Sequence, residues 1–189
     1  MLTEDLREET RAQHEQLEAA NPLPRTEADY IRQLKTFFGF VEPWERALAQ
    51  ALPADDPICK GREKTSWLEH DLEFFGMDRT QREKLPRVTE LPPFSSRPEI
   101  LGAAYVLEGS TLGGQIIARH LEETLGLCDG CGYRYFRSYG PEVGAQWKAF
   151  RTELLQASSA TNDPVIVRSA RETFEILHRW FCQSNEVRL

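Results

Sequence analysis

The chain has 189 residues, a formal net charge of −7 and a sequence pI near 5.2, with 40% hydrophobic and 28% charged residues. That length reads as one domain, residues 1–189, able to bury a full core. The acidic balance argues against nucleic acid as a general partner. No apolar run approaches the roughly 20 residues of a membrane span. The acidic, amphipathic N-terminus is unlike a signal peptide, so a cytoplasmic protein is expected.

Residues 2–20 read as a helix with Thr3 as N-cap and Glu4 and Asp5 in the first turn, where the helix dipole favours them. Leu6, Thr10, His14 and Leu17 follow at helical spacing, which places His14 on the buried stripe. Glu18 lies four residues on, within reach of the imidazole. A buried histidine is more often a satisfied core residue than a metal ligand. A carboxylate beside it favours the ligand reading, because ligating imidazoles usually give their second N–H to such a group.

Asn21-Pro22-Leu23-Pro24 breaks the chain, and residues 26–29 open a second helix in the manner of a capping box. It carries Tyr30, Leu34, Phe37, Phe38 and Val41, is kinked or divided by Pro43, and continues through Trp44 and Leu48 to Leu52. Its aromatic density suits either plain core or the wall of a large apolar cavity. Residues 53–57 form a loop, residues 63–76 a third helix with His70 exposed, and residues 80–85 a short helix. Four prolines make residues 86–98 an extended connector.

Residues 97–125 form the longest apolar-periodic segment, yet it contains Gly109, Gly113 and Gly114. A glycine inside a helix costs roughly 0.5–1 kcal/mol relative to alanine. Three in six residues need a reason: a kink, close helix packing, or a bare face that admits a large planar ligand. Gly109 and Gly113 share one face. His120, further along, reads as a surface or interhelix group. Residues 126–144 are loop-rich. Residues 141–158 form a helix with Lys148 and Arg151 facing one way, and residues 164–183 form the last helix. No period-2 run of any length occurs, so the fold is expected to be all-α, with seven or eight helices.

Of Cys59, Cys128, Cys131 and Cys182, only the 128–131 pair has metal-like spacing, and no second pair completes a zinc site. Ordinary reduced thiols are expected. Di-metal chemistry would need paired Glu-x-x-His motifs, and Glu175–His178 stands alone. That speaks against a thiaminase-like or di-metal oxidase-like protein.

Two features stand together: residues 6–18 around His14 and residues 105–115 around Gly109, with His14 and Gly109 95 positions apart (109 − 14). The pair resembles the heme oxygenase family, over nearly the whole chain, and most of all its small bacterial branch often paired with bacteriophytochromes. The resemblance implies a multi-helix bundle with heme sandwiched between a proximal N-terminal helix and a kinked, glycine-rich distal helix. It implies His14 as the iron ligand and Glu18 as its carboxylate partner. Gly109, Gly113 and Gly114 match the distal glycines. Arg7, Tyr105, Lys148 and Arg151 fall where the family contacts the heme propionates, with Tyr105 offset by about one residue. Ser110 departs from the aspartate of mammalian-type members, which leaves Ser110, Thr111, Arg119 or backbone carbonyls to order distal water.

The implied reaction is oxygen-dependent cleavage of heme, both substrate and cofactor, at a meso carbon to biliverdin, carbon monoxide and ferrous iron. Electrons would come from a ferredoxin- or flavin-type reductase, and a bacteriophytochrome is a possible biliverdin acceptor. The alternative is a heme carrier or sensor on the same scaffold without turnover.

Overall fold

The computed structural model describes residues 2–128 and 130–186, all of whose regular structure is helical. In chain order these are α1 (Leu2–Glu9), α2 (Arg11–Ala20), α3 (Glu27–Ala51), α4 (Thr65–Phe74), α5 (Arg79–Glu83), α6 (Arg97–Leu125), α7 (Arg134–Arg137), α8 (Val143–Ala157) and α9 (Asp163–Glu186), with a 3-10 turn at Gly140–Glu142 before α8. The expected first helix is therefore two, hinged at Thr10, whose hydroxyl donates to the Leu6 carbonyl at 2.6 Å. A threonine that bonds back to the preceding turn competes with helix continuation. The stretch expected to be loop holds α7 and the 3-10 turn.

α3 starts as its sequence demands. The Asp29 N–H donates to Thr26 Oγ1 at 3.1 Å, and the Thr26 N–H donates to Asp29 Oδ2 at 3.2 Å. It then runs unbroken through Pro43, which rules out the division but not the kink among the two expectations. Proline removes the N–H that would bond the carbonyl four residues back, here that of Gly39. The Val88 N–H supplies the missing donor to Gly39 O at 2.9 Å. Glycine at 39 makes the approach feasible, since a Cβ there would lie 2.6 Å from the Pro86 carbonyl and 2.6 Å from the Trp180 ring. The proline-rich connector thus repairs α3 from the side.

α6 and α9 form the central pair. Gly102 lets their backbones meet, because a Cβ there would collide with the Ile166 carbonyl. Ser169 Oγ donates to Glu99 O across the same contact at 2.7 Å. Around this pair the core is aromatic: Tyr30, Phe40, Phe150 and Phe181 are fully buried, and the Trp180 indole N–H donates to Thr36 O at 2.8 Å.

α7 is too short to hold itself, and no side chain of its own caps it. Asp71 of α4, with no exposed surface, accepts from the Arg134 and Tyr135 N–H groups, both at 2.8 Å. Burial pushes its carboxyl up to about 6, against those two donors, which favour the charged form.

Gly102→Ala should lose about 1–3 kcal/mol in urea unfolding, because the added methyl meets backbone rather than a movable side chain. Asp71 gives a pH signature. Its folded pKa lies above the unfolded one, so the folded state binds the extra proton as pH falls below about 6. The wild type should therefore gain stability relative to Asp71→Asn between pH 7 and pH 5. An unchanged difference in urea midpoints would contradict this.

Candidate functional site

A cleft of about 1060 Å³ opens between α1–α2 and α6. α9 contributes Phe174 and Leu177 to it, and α7 contributes Tyr135 and Phe136. His14 lines this cleft, with its side chain 55% exposed and its ring edge-on to Phe174 at 5.8 Å. The expectation of a buried stripe fails here, since no residue of α2 is buried. The apolar side of α2 borders the cleft while also packing against α9, so it is only partly covered. Nδ1 of His14 lies 3.6 Å from Glu18 Oε2. Nε2 has no hydrogen-bond partner among the described residues, which leaves that nitrogen for a ligand.

The three glycines of α6 divide by surroundings. A Cβ on Gly113 would meet nothing within 4 Å, and one on Gly109 would touch only Trp147, at 3.9 Å. Both line the cleft. A Cβ on Gly114 would lie 2.6 Å from the Phe136 carbonyl. Gly114 also borders the cleft, but its lack of a side chain is used to seat α7. On the same helix Leu112 and Ile116 line the cleft and are exposed, Ile116 at 71%.

Ser110 and Thr111 both line the cleft, with their hydroxyl hydrogens committed to their own helix: Ser110 to Leu107 O at 2.8 Å, Thr111 to Glu108 O at 2.7 Å. Arg119 is exposed and does not line it. Behind α6 is a cluster that sequence reasoning missed. Glu108, next to Gly109 and 4% exposed, accepts from Arg62 Nη1 at 2.5 Å and Lys64 Nζ at 2.5 Å. Lys64 also donates to Arg62 O at 2.9 Å and to Tyr139 Oη at 3.1 Å, and Tyr139 in turn donates to Glu108 at 3.1 Å. Burial pushes the Lys64 ammonium down, but the Glu108 carboxylate outweighs it and the net shift is upward. Arg62 and Lys64 lie in turns, with no periodicity to mark them.

Tyr139 is preceded by Ser138, the one non-glycine residue with positive φ among those described (φ 52°, ψ −123°). Such backbone costs on the order of 1–3 kcal/mol and persists only where neighbours hold it. Ser138 lines the cleft, and its Oγ is buried without a hydrogen-bond partner among the described residues.

Cations stand on the cleft walls. Arg7 and Arg151 line it as expected of propionate contacts, and Arg11, not anticipated, joins them. None of the three makes an ion pair among the described residues. Tyr105 lines the same region, hydrogen-bonded to Thr10 and near Arg7, with its phenol pushed up by burial. Lys148 is exposed and is not brought to the cleft, although it shares α8 with Arg151. His120 is an interhelix group, its Nε2 2.8 Å from Pro24 O. His178 contacts Cys182 Sγ at 3.4 Å rather than joining a metal set. No cluster of three or more metal-ligating groups occurs among the described residues. The Cys128–Cys131 turn includes Asp129, which lies outside them.

A heme oxygenase family model matches residues 1–183, so the chain belongs to the heme oxygenase family and is a heme-degrading oxidoreductase. The fold matches solved bacterial relatives. The heme oxygenase of Leptospira interrogans superposes with a TM-score of 0.75 at 20% identity, covering 96% of this chain and 98% of that one. The NO- and CO-bound enzyme of Neisseria meningitidis gives 0.74 at 20% identity, covering 97% and 92%. The heme complex of heme oxygenase-1 from the cyanobacterium Synechocystis gives 0.72 at 18% identity, covering 96% and 91%. Comparison with curated proteins finds no match. No helix among the described residues is long and apolar enough to cross a membrane.

Removing one side of a buried ion cluster costs about 3–5 kcal/mol, because it strands the other charges. Glu108→Gln strands both Arg62 and Lys64 and should reach that range in urea unfolding. Lys64→Met leaves Glu108 paired with Arg62 and should cost clearly less.

Proposed function

We propose that the cleft between α2 and α6 holds heme edge-in, with His14 Nε2 as the iron ligand and the Gly109–Gly113 face against the opposite side of the ring. The donor set fits the group. One imidazole nitrogen is uncommitted while the other faces Glu18. The facing helix lacks side chains at Gly109 and Gly113 and exposes Leu112 and Ile116 to an apolar ring edge. The observation that carries the reading is that an uncommitted imidazole and a bare helix face line one cleft of this size.

Heme, when bound, supplies the iron that activates oxygen and the ring that is opened to biliverdin, carbon monoxide and ferrous iron. The chain's part is to bind, orient and exclude. Glu18 orients the His14 ring and favours the tautomer with Nε2 free to ligate. Gly109 and Gly113 admit the ring close to backbone, while Ser110 keeps its hydroxyl hydrogen on the helix. Arg7, Arg11 and Arg151, supported by Tyr105, bind the carboxylates of the propionates. Charge-assisted pairs of this kind fix in-plane orientation as well as adding affinity. With heme bound, these residues would fix its orientation in the cleft and so select the meso carbon that is cleaved. Lys148 is replaced by Arg11 in this role. Phe174 and Leu177 keep water from the proximal side. The reading includes a cytoplasmic setting, electrons from a ferredoxin- or flavin-type reductase, and a bacteriophytochrome as biliverdin acceptor, as the sequence resemblance implies.

His14→Ala should abolish the normal axial-ligand spectrum and most turnover, and full activity would remove the ligand assignment. Gly113→Leu is the complementary test. Its side chain meets nothing in the protein, so folding is preserved or improved by about 0.5–1 kcal/mol of regained helix propensity, while heme affinity falls at least tenfold. Unchanged heme binding in that variant would contradict the face assigned to α6.

A further inference from the structure

Three aliphatic hydroxyls line the cleft on the side of α6 and α7: those of Ser110, Thr111 and Ser138. Two are spent on helix carbonyls. The Ser138 hydroxyl is buried and has no partner among the described residues. Lys64, which also lines the cleft, offers no spare hydrogen either, since its three protons go to the Arg62 carbonyl, Glu108 and Tyr139, and the Tyr139 hydroxyl goes to Glu108.

The backbone at Ser138 carries the second observation. The surrounding segment needs positive φ repeatedly and meets that need with glycine at Gly130, Gly132 and Gly140. At position 138 it uses serine, in a region that glycine occupies freely and L-residues rarely do. The strain is held from both sides. The Arg137 carbonyl accepts from Gln115 Nε2 of α6 at 3.1 Å, and the Ser138 N–H donates to Arg134 O at 2.8 Å. Tyr139 is fixed to Glu108 and packs edge-on against Trp67 at 5.3 Å. An over-determined, strained residue with an unpartnered polar atom in a cleft is what a ligand-contacting position looks like.

We propose that Ser138 is the hydrogen-bond donor to the small ligand or water held on the α6 side of the heme, the place an aspartate beside the first distal glycine serves in other members. The proposal rests on the heme reading of the cleft. The turn that carries Ser138 is tied through Tyr139 to the Arg62–Lys64–Glu108 cluster, so the donor is positioned relative to Gly109 by buried charges rather than by a residue of α6 itself.

Fluoride binding to the ferric heme-loaded protein tests this, since fluoride accepts a hydrogen bond and needs no turnover. Ser138→Gly keeps the backbone and removes the hydroxyl, and Ser138→Ala removes the hydroxyl while keeping the strain. Both should raise the fluoride Kd about tenfold, with heme affinity and the Soret band unchanged. That factor is about 1.4 kcal/mol, the scale of one hydrogen bond to an anion. The ligand-free Ser138→Gly protein should also melt about 2–4 °C higher as its strain is relieved. Tyr135→Phe serves as comparator, because Tyr135 also lines the cleft and carries a hydroxyl. A fluoride Kd within twofold of wild type in Ser138→Gly overturns the proposal, whether or not Ser138→Ala folds. So does a loss that follows Tyr135→Phe instead. A wild-type chain that takes up no heme removes the heme reading, and that failure is seen before fluoride is added.

Discussion

The arrangement depends on the buried carboxylate of Glu108 sitting between Arg62 and Lys64. Two cations and one carboxylate can be buried together only where their polar groups find partners, and here every nitrogen of Arg62 and Lys64 and both carboxylate oxygens of Glu108 are hydrogen-bonded. The cluster ties the turns after residue 57 to α6 one residue before Gly109. Through Tyr139 it also holds the turn leading into α8. Such a cluster adds little net stability, since desolvation opposes the attraction. Its value is positional. One side of the cleft is set by a fixed charge geometry, while α1 and α2, with only Leu2 and Leu6 buried between them, form the other.

Glycine does two unlike things along the central helix. At Gly102 and Gly114 it admits a neighbouring backbone, and close packing alone accounts for it. At Gly109 and Gly113 no protein group takes up the space. The same spacing argument thus holds at some positions and fails at others only eleven residues apart or fewer. What separates them is the element lying opposite, which periodicity does not encode.

Local signals were readable where local physics decides. The capping box of α3, the long span of α6 and the His14–Glu18 pair all follow from local helical spacing. What failed depends on distant partners. Pro43 does not divide α3, because Val88 donates to Gly39. α7 exists because Asp71, far back in the chain, caps it. His14 is half exposed because its stripe faces a cleft. Lys148 and Arg151 share a helix, yet only Arg151 reaches the cleft, and Arg11, which no motif or spacing marks, reaches it too. Ser138 carried no signal at all: a lone serine in a glycine-rich loop declares neither its φ nor its missing partner.

The account stands or falls on the cleft as a heme site that turns heme over. The direct measurement is the visible spectrum of the purified protein titrated with ferric heme and then given ascorbate in air. The account predicts a Soret band that saturates at one heme per chain, then decays while a broad red absorption of biliverdin rises. A Soret band that persists under reductant and oxygen, or none at all, would contradict it.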